Sequence, residues 1–460
     1  MAQKTLRRTG RDMDMLHGPL AGKMLAFALP LAFTTLFQQL FNAADVFILG
    51  RFCGTAAMAA VGCNTAVLAL VVCLFTGSAI GANVVIAHAI GQGDRPRVRA
   101  AVQTSFLLSL LLGLAMALFA VPLAGTATRI LGVPEEVFPL AETYLEILLC
   151  GLPFISAFNF EAAIFRSRGD TRTPLLALGA ASLLNIVLDI CFVSRGMGAM
   201  GAALATDISY AACSLILFAG LVRTQGSIRL KFRGMRMRRA IALRILRIGL
   251  PAGIQGMVFS IANVCLQQAI NSLGPSAMAA SAAAFTIEIN IFCIINAFGQ
   301  TATTFVSQNY GAGQLTRCSR AARTALLLDF ACMGALSAIV LIYARPLLGL
   351  FSAEPEVVAL GLVRIWYVVL FEPLNVFLEN LSGALRGFGI SSPPAAVTLF
   401  GVCGTRLGWI FLVFPKHRTF ECAMTVFPLS WAVTSLAMGC LYIWCVRRLN
   451  RLHGQQDSRN

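Results

Sequence analysis

Apolar residues along this chain come in long, nearly unbroken blocks separated by short polar or basic segments. Twelve blocks are visible, at roughly 24–49, 57–88, 98–123, 139–165, 173–194, 198–222, 241–271, 277–308, 319–344, 357–385, 395–414 and 422–446. Each is about 20 residues or longer, the length at which a helix crosses the hydrocarbon core of a bilayer. The pattern predicts an all-α membrane protein with twelve transmembrane helices.

Composition agrees. Of 460 residues, 58% are hydrophobic and 12% charged, and the mean hydropathy is +0.78. Soluble domains carry about 25% charged residues. Residues 1–23 are charged and polar, with no apolar core or small-residue cleavage site, so the first block reads as a retained span and not a cleaved leader. The net charge of +16 would suggest nucleic acid, but the positions of the charges decide otherwise. With the N-terminus in the cytoplasm and twelve alternating spans, 28 Lys/Arg fall on the cytoplasmic side and six in outer loops. Arg364 and Arg406 lie within spans. This is the positive-inside asymmetry of a cell-membrane protein with both termini cytoplasmic. The basic balance faces anionic lipid; no nucleic-acid partner is implied.

Fourteen cysteines are scattered through apolar blocks without a CxxC, and there they act as small hydrophobes. Only Cys53 and Cys422 fall near outer loops, as a candidate disulfide. His17, His88, His417 and His453 are too dispersed for a metal site. No GxxxxGK[ST], HExxH or GxSxG pattern occurs, so neither nucleotide-driven transport nor hydrolysis is indicated. The chain reads as a non-enzyme without a cofactor.

The sequence is also written twice. Gly91 in AIGQGD (89–94) and Gly311 in NYGAGQ (309–314) are 220 residues apart. The same offset carries Ala57-Met58-Ala59-Ala60 onto Ala277-Met278-Ala279-Ala280 and Pro153 onto Pro373. It also carries FRSRGDTRTP (165–174) onto LRGFGISSPP (385–394). With a one-residue slip, Val133-Pro134-Glu135 matches Glu354-Pro355-Glu356. Two pseudo-symmetric six-helix lobes follow, at 24–222 and 241–446, with tails at 1–23 and 447–460. A basic cytoplasmic linker, 223–240, joins them along anionic lipid. Parallel repeats of this kind place a binding site near the membrane midplane. Gly77/Gly81, Gly249/Gly253 and Gly383/Gly387 are spaced four apart, which lets helices approach closely.

The acids within spans include Asp45, Glu161, Asp189, Asp207, Glu288, Asp329, Glu372 and Glu379. Two arginines cannot pair them all, so some must hold a proton or face a wet cavity that favours cations. In LLNIVLDICFV (183–193), Asn185 sits one turn before Asp189, so the two share a face. The repeat maps Asp189 onto Trp409, Asn185 onto Thr405 and Asp45 onto Cys265 or Leu266. The fold therefore does not need these groups, and they become the coupling candidates. Asp207 abuts Thr206 and reads as part of the same cluster. Glu288 is either a proton or substrate site or a structural partner. Glu379 maps onto Asn159 and would line the opposite cavity wall, and Glu161 would pair with Arg166. Asp329 and Glu372 receive no role.

Together, LPLAFTTLFQQLFNAADVFILGR (29–51), IGQGD (90–94), RSRGDTRTP (166–174), LLNIVLD (183–189), GAMGAALAT (198–206) and VSQNYGAGQ (306–314) resemble the multidrug and toxic compound extrusion (MATE) transporters of prokaryotic type. The resemblance covers nearly the whole chain. It implies two six-helix lobes in a V and export of small organic compounds, cationic or amphipathic, by a monomer working through alternating access against proton or sodium entry. Carried over by residue, it makes Pro30 a conformational residue and Gln38, Asp45, Asn185, Asp189 and Thr206 coupling residues. Sodium would sit at Asp45, Asp189 and Asn185. Tyr144 and Asn159 are placed in the substrate cavity with Asp207, Glu288 and Glu379. Ala162 and Ile190 depart from the family pattern, and no glutamate stands in VFSIANV (258–264). The alternative is a lipid-linked precursor flippase of related fold, which would call for several arginines in the cavity.

Overall fold

The computed structural model describes residues 13–130, 133 and 135–457. Most of the expected N-terminal tail, Pro134 and the last three residues of the expected C-terminal tail lie outside the described residues, as does the side chain of His453. Every regular element among the described residues is helical. The first half runs α1 (Ala21–Phe52), α2 (Gly54–Gly91), α3 (Arg95–Ala120), a 3-10 turn (Val121–Leu123), α4 (Ala124–Ile130), α5 (Phe138–Cys150), α6 (Leu152–Ser167), α7 (Arg172–Ser194) and α8 (Gly198–Arg223). The second half runs α9 (Arg239–Asn271), α10 (Pro275–Gly311), α11 (Leu315–Ile342), α12 (Ala344–Gly349), α13 (Pro355–Val369), α14 (Glu372–Gly387), α15 (Ser392–Thr398), α16 (Thr405–Gly408) and α17 (Phe420–Asp457). The π-helical stretches Leu399–Gly404 and Trp409–Val413 flank α16.

Ten of these stretches are long and apolar enough to cross a membrane alone. Two bent pairs, α5 with α6 and α13 with α14, bring the number to twelve if each pair is one span. The apolar blocks 139–165 and 357–385 read as single helices, but they bend by 45° and 40°. The cause sits at equivalent points of the repeat. Pro153 and Pro373 lie in the first turns of α6 and α14, and a proline there has no N–H to continue the preceding ladder. The turns repeat as well, with Gly93 and Gly313 at φ +72° and +75°, a backbone region that side chains with a Cβ rarely adopt.

Contacts divide the chain into two compact units. The first takes Phe33–Gly253, and the second takes Met15–Ala32 with the chain from Ile254 onward. The units differ from the sequence boundaries in two places, each for a visible reason. Met15 is buried, and its carbonyl accepts from Asn309 Nδ2 (3.2 Å) and Arg317 Nε (3.3 Å), which ties the start of the described chain to the second unit. The start of α9 stays with the first unit through glycines: a Cβ on Gly77 would overlap the backbone of Gly253, and one on Gly249 would overlap Ser78. In the second unit Gly383 packs as tightly against Gly299.

The basic linker also packs onto the first unit. Ile228 and Leu230 are buried while Arg229, Lys231 and Arg233 are exposed, an alternation that suits an extended segment with one apolar side. Gln103 Nε2 of α3 donates to the Lys231 carbonyl (2.7 Å). Large apolar side chains such as Phe47, Phe400 and Leu436 are 72–75% exposed, an arrangement suited to lipid and costly in water.

Candidate functional site

Three helices of the first unit converge on one polar cluster. Helix α1 supplies Asp45, α7 supplies Asn185 and Asp189, and α8 supplies Thr206. Asp45 is 5% exposed, and Asn185 and Asp189 are fully buried. Thr206 Oγ1 donates to Asp45 Oδ2 at 3.0 Å. The Asp45 carboxyl also lies close to Asp189 and Asn185, although no hydrogen bond joins it to either. Around them Ile48, Leu49, Val193, Ala199, Ala202 and Ala203 pack into an apolar shell. Tyr144 of α5 belongs to that shell and stands near Asp45, Asp189 and Asp207.

Supply and demand of protons in this cluster do not balance. Asp45 Oδ1, both Asp189 oxygens and both polar atoms of Asn185 are buried without a protein hydrogen-bond partner. Neither carboxyl has an ion-pair partner among the described residues. Two facing carboxylates offer only acceptors, so a bond between them requires a proton on one. Leaving both ionised at this depth would cost several kcal/mol.

The remaining candidates are placed elsewhere. Gln38 lies two turns before Asp45 on α1, about 10 Å along the helix, and makes no hydrogen bond to the cluster. Asp207 points roughly 100° away from Thr206 around α8, and its carboxyl lies against Gly151 at the break between α5 and α6. Asn159 of α6 donates to the Ile155 carbonyl (2.8 Å) and accepts from Thr76 of α2 (3.3 Å). Glu161 takes its hydrogen bond from Ser214 (3.0 Å) and not from Arg166. Pro30 lies inside α1, fifteen residues before Asp45.

In the second unit two of the four span acids are paired with arginines. Glu288 of α10 receives Arg364 of α13 in a fork, with Nε at 3.0 and 3.2 Å and Nη2 at 2.9 Å, and Arg364 Nη1 also donates to Ser281 (2.6 Å). Both side chains are under 8% exposed. Glu379 meets Arg386 at 3.4 Å. Arg406 is fully buried, donates to Asn263 Oδ1 (2.6 Å) and lies over the rings of Phe427 (4.7 Å) and Phe259 (5.0 Å). Asp329, which the sequence left without a role, receives Asn380 Nδ2 at 2.5 Å. Cys53 and Cys422 are both free thiols. No cluster of three or more His, Cys, Asp or Glu able to hold a metal occurs among the described residues.

The sequence profile of the MatE family matches residues 30–191 and again 251–411, one match in each half of the repeat. The chain belongs to the MatE family. Among its relatives is a Bacillus subtilis (strain 168) protein named "Probable multidrug resistance protein YoeA", 24% identical over 93% of this chain and 95% of its own length. A Thermotoga maritima protein named "Probable multidrug resistance protein NorM" is 27% identical over 85% of each. The crystal structure titled "Crystal structure of MATE in the straight conformation" matches with a TM-score of 0.89 at 24% identity, covering 96% of this chain and all of that one. The protein is therefore a multi-pass membrane transporter of the MATE multidrug-efflux family, with the MATE fold. The flippase reading is not favoured. One span arginine is forked onto Glu288 and the other is enclosed by Asn263 and aromatic rings, so neither is offered to a pyrophosphate.

Proposed function

We propose that this MATE protein exports organic cations or amphipathic compounds across the cell membrane in exchange for protons, with both termini in the cytoplasm. The observation that supports this is the face-to-face placement of Asp45 and Asp189 in a buried cluster that has acceptors in excess and no base. One proton binds the pair into a neutral, hydrogen-bonded unit. Its loss leaves a negative site that must be stabilised by water or by a cationic substrate. Proton and substrate thus compete, which is the linkage an exchanger needs. Pro30 removes one backbone bond from the helix that carries Asp45, so α1 bends there at low cost when the cluster changes charge.

The energetics suffice. A potential of 100 mV contributes about 2.3 kcal/mol per charge. One pH unit contributes about 1.4 kcal/mol per proton. For a neutral substrate a single proton driven by both sustains a gradient of several hundredfold at most, and for a monovalent cation exchanged one for one the potential cancels, leaving about tenfold per pH unit.

The test is uptake of a cationic dye into proteoliposomes, with pH and sodium gradients imposed separately. A pH gradient should drive accumulation alone, and Asp45→Asn or Asp189→Asn should stop it. Accumulation with unchanged pH dependence in either neutral variant would remove that residue from the mechanism. Accumulation driven by sodium alone would replace the proton with a sodium ion held by Asp45, Asp189 and Asn185.

A further inference from the structure

The second unit has a buried acid that its arginines do not reach. Four acids lie in its spans. Glu288 is forked by Arg364 and Glu379 is met by Arg386. Glu372 accepts from Asn375 Nδ2 (2.9 Å) within the field of Arg406. Asp329, on α11, is fully buried and has no ion-pair partner among the described residues.

Its one partner is an amide. Asn380 of α14 donates Nδ2 to Asp329 Oδ2 at 2.5 Å, and the same nitrogen donates to the Val376 carbonyl at 3.0 Å. On the other side of the pair, Asp329 Oδ1 and Asn380 Oδ1 are both buried without a hydrogen-bond partner. The ionisable groups around the pair add nothing that would satisfy these oxygens. Glu372 and Glu379 of α14 contribute negative charge, and Arg386 is engaged by Glu379. Glu288 of α10 is closed on Arg364 of α13. Cys332 lies one turn along α11, and Arg345 of α12 is exposed at the surface.

An ionised carboxylate is acceptor-only, so it would leave the Asn380 carbonyl stranded and carry an uncompensated charge in the bilayer. A protonated carboxyl offers one donor and one acceptor, and a primary amide offers the same pair in reverse. Such a pair can close a ring of two hydrogen bonds, with the observed Nδ2–H to Oδ2 as one side and Oδ1–H to Oδ1 as the other. We propose that Asp329 and Asn380 form a second proton-binding site, an acid–amide pair inside the second unit, separate from the Asp45 cluster. The ligand is a single proton taken from water, and no covalent bond breaks apart from that of the proton donor. A sodium ion is less well served, because Asp329 is the pair's one carboxylate and no cluster of three or more His, Cys, Asp or Glu occurs among the described residues.

Infrared difference spectroscopy on the full-length protein in lipid tests the assignment at neutral pH. The wild type should show the carbonyl stretch of a protonated carboxyl that Asp329→Asn removes and that the Asp45→Asn/Asp189→Asn double variant keeps. Asp329→Asn should fold, because its amide forms the same ring with Asn380. Asn380→Leu provides a second reading: the band should persist but shift as the acid loses its partner. Two results overturn the proposal. In one, Asp329→Asn removes carboxylate absorption and leaves the protonated-acid region unchanged. In the other, the wild-type spectrum answers to added sodium at constant pH and the Asp329→Asn spectrum does not, which would make the bound cation sodium.

Discussion

The two halves of this transporter share a repeat of helices, breaks and turns, yet only the second pairs buried span acids with arginines. In the second unit Glu288 and Glu379 have arginines at 2.9 and 3.4 Å. In the first unit Asp45 and Asp189 are more deeply buried than Glu379 and have no base. An acid with a fixed counter-charge is already neutralised, and removing or adding a proton there breaks a good bond. An acid facing another acid has an exchangeable proton or cation as its only route to neutrality. In the proposed mechanism, the same helical framework serves as scaffold where charges are paired and as exchange site where they are not.

The sharpest way to break this comparison is to neutralise each side. Asp189→Asn should abolish concentrative dye transport, a loss of about tenfold in the gradient sustained for each pH unit imposed. The Glu288→Gln/Arg364→Met double variant should keep transport within a few-fold. Proteoliposome assays at matched reconstitution decide it, and equal losses in both would erase the distinction between the units.

Stability should show the reverse order. Arg364→Met alone leaves Glu288 buried without its partner, which costs about 3–5 kcal/mol, and adding Glu288→Gln should restore most of the loss. Thermal unfolding in detergent reads this directly. A smaller effect tests the glycine contact between α2 and α9. Gly249→Ala drives a Cβ into Ser78 and should cost about 1–3 kcal/mol, whereas Gly179→Ala, with open space around it, should change little. The smallest effect is at the repeat equivalent of Asp189. Trp409 donates Nε1 to the Cys422 carbonyl at 2.8 Å, so Trp409→Phe should cost about 1 kcal/mol and leave export intact. A Trp409→Phe variant that folded well but failed to transport would give the second unit a coupling role.

Much of the fold was readable before any coordinates. Span length, the offset of 220 residues and the glycine spacings are periodic or repeated signals, and each appears in the structure as helices, mirrored breaks and close helix contacts. Asn185 with Asp189 was readable for the same reason, since one helical turn is a fixed spacing. What lay beyond reading was who meets whom across helices. Arg364 and Glu288 are 76 residues apart, as are no other span acid and base that the structure joins. Asp329 and Asn380 are 51 apart. Neither separation follows from any period of the chain.

From residues alone came the membrane class, the number of apolar blocks, the repeat and the excess of acids over bases within spans. All of these follow from local spacing and composition, because a bilayer imposes length and hydropathy on each helix separately. Which acid keeps a counter-charge and which is left facing another acid was decided only in three dimensions. That choice depends on the rotation of each helix about its own axis against its neighbours, where a turn of roughly 100° per residue places Thr206 against Asp45 and sends Asp207 toward Gly151.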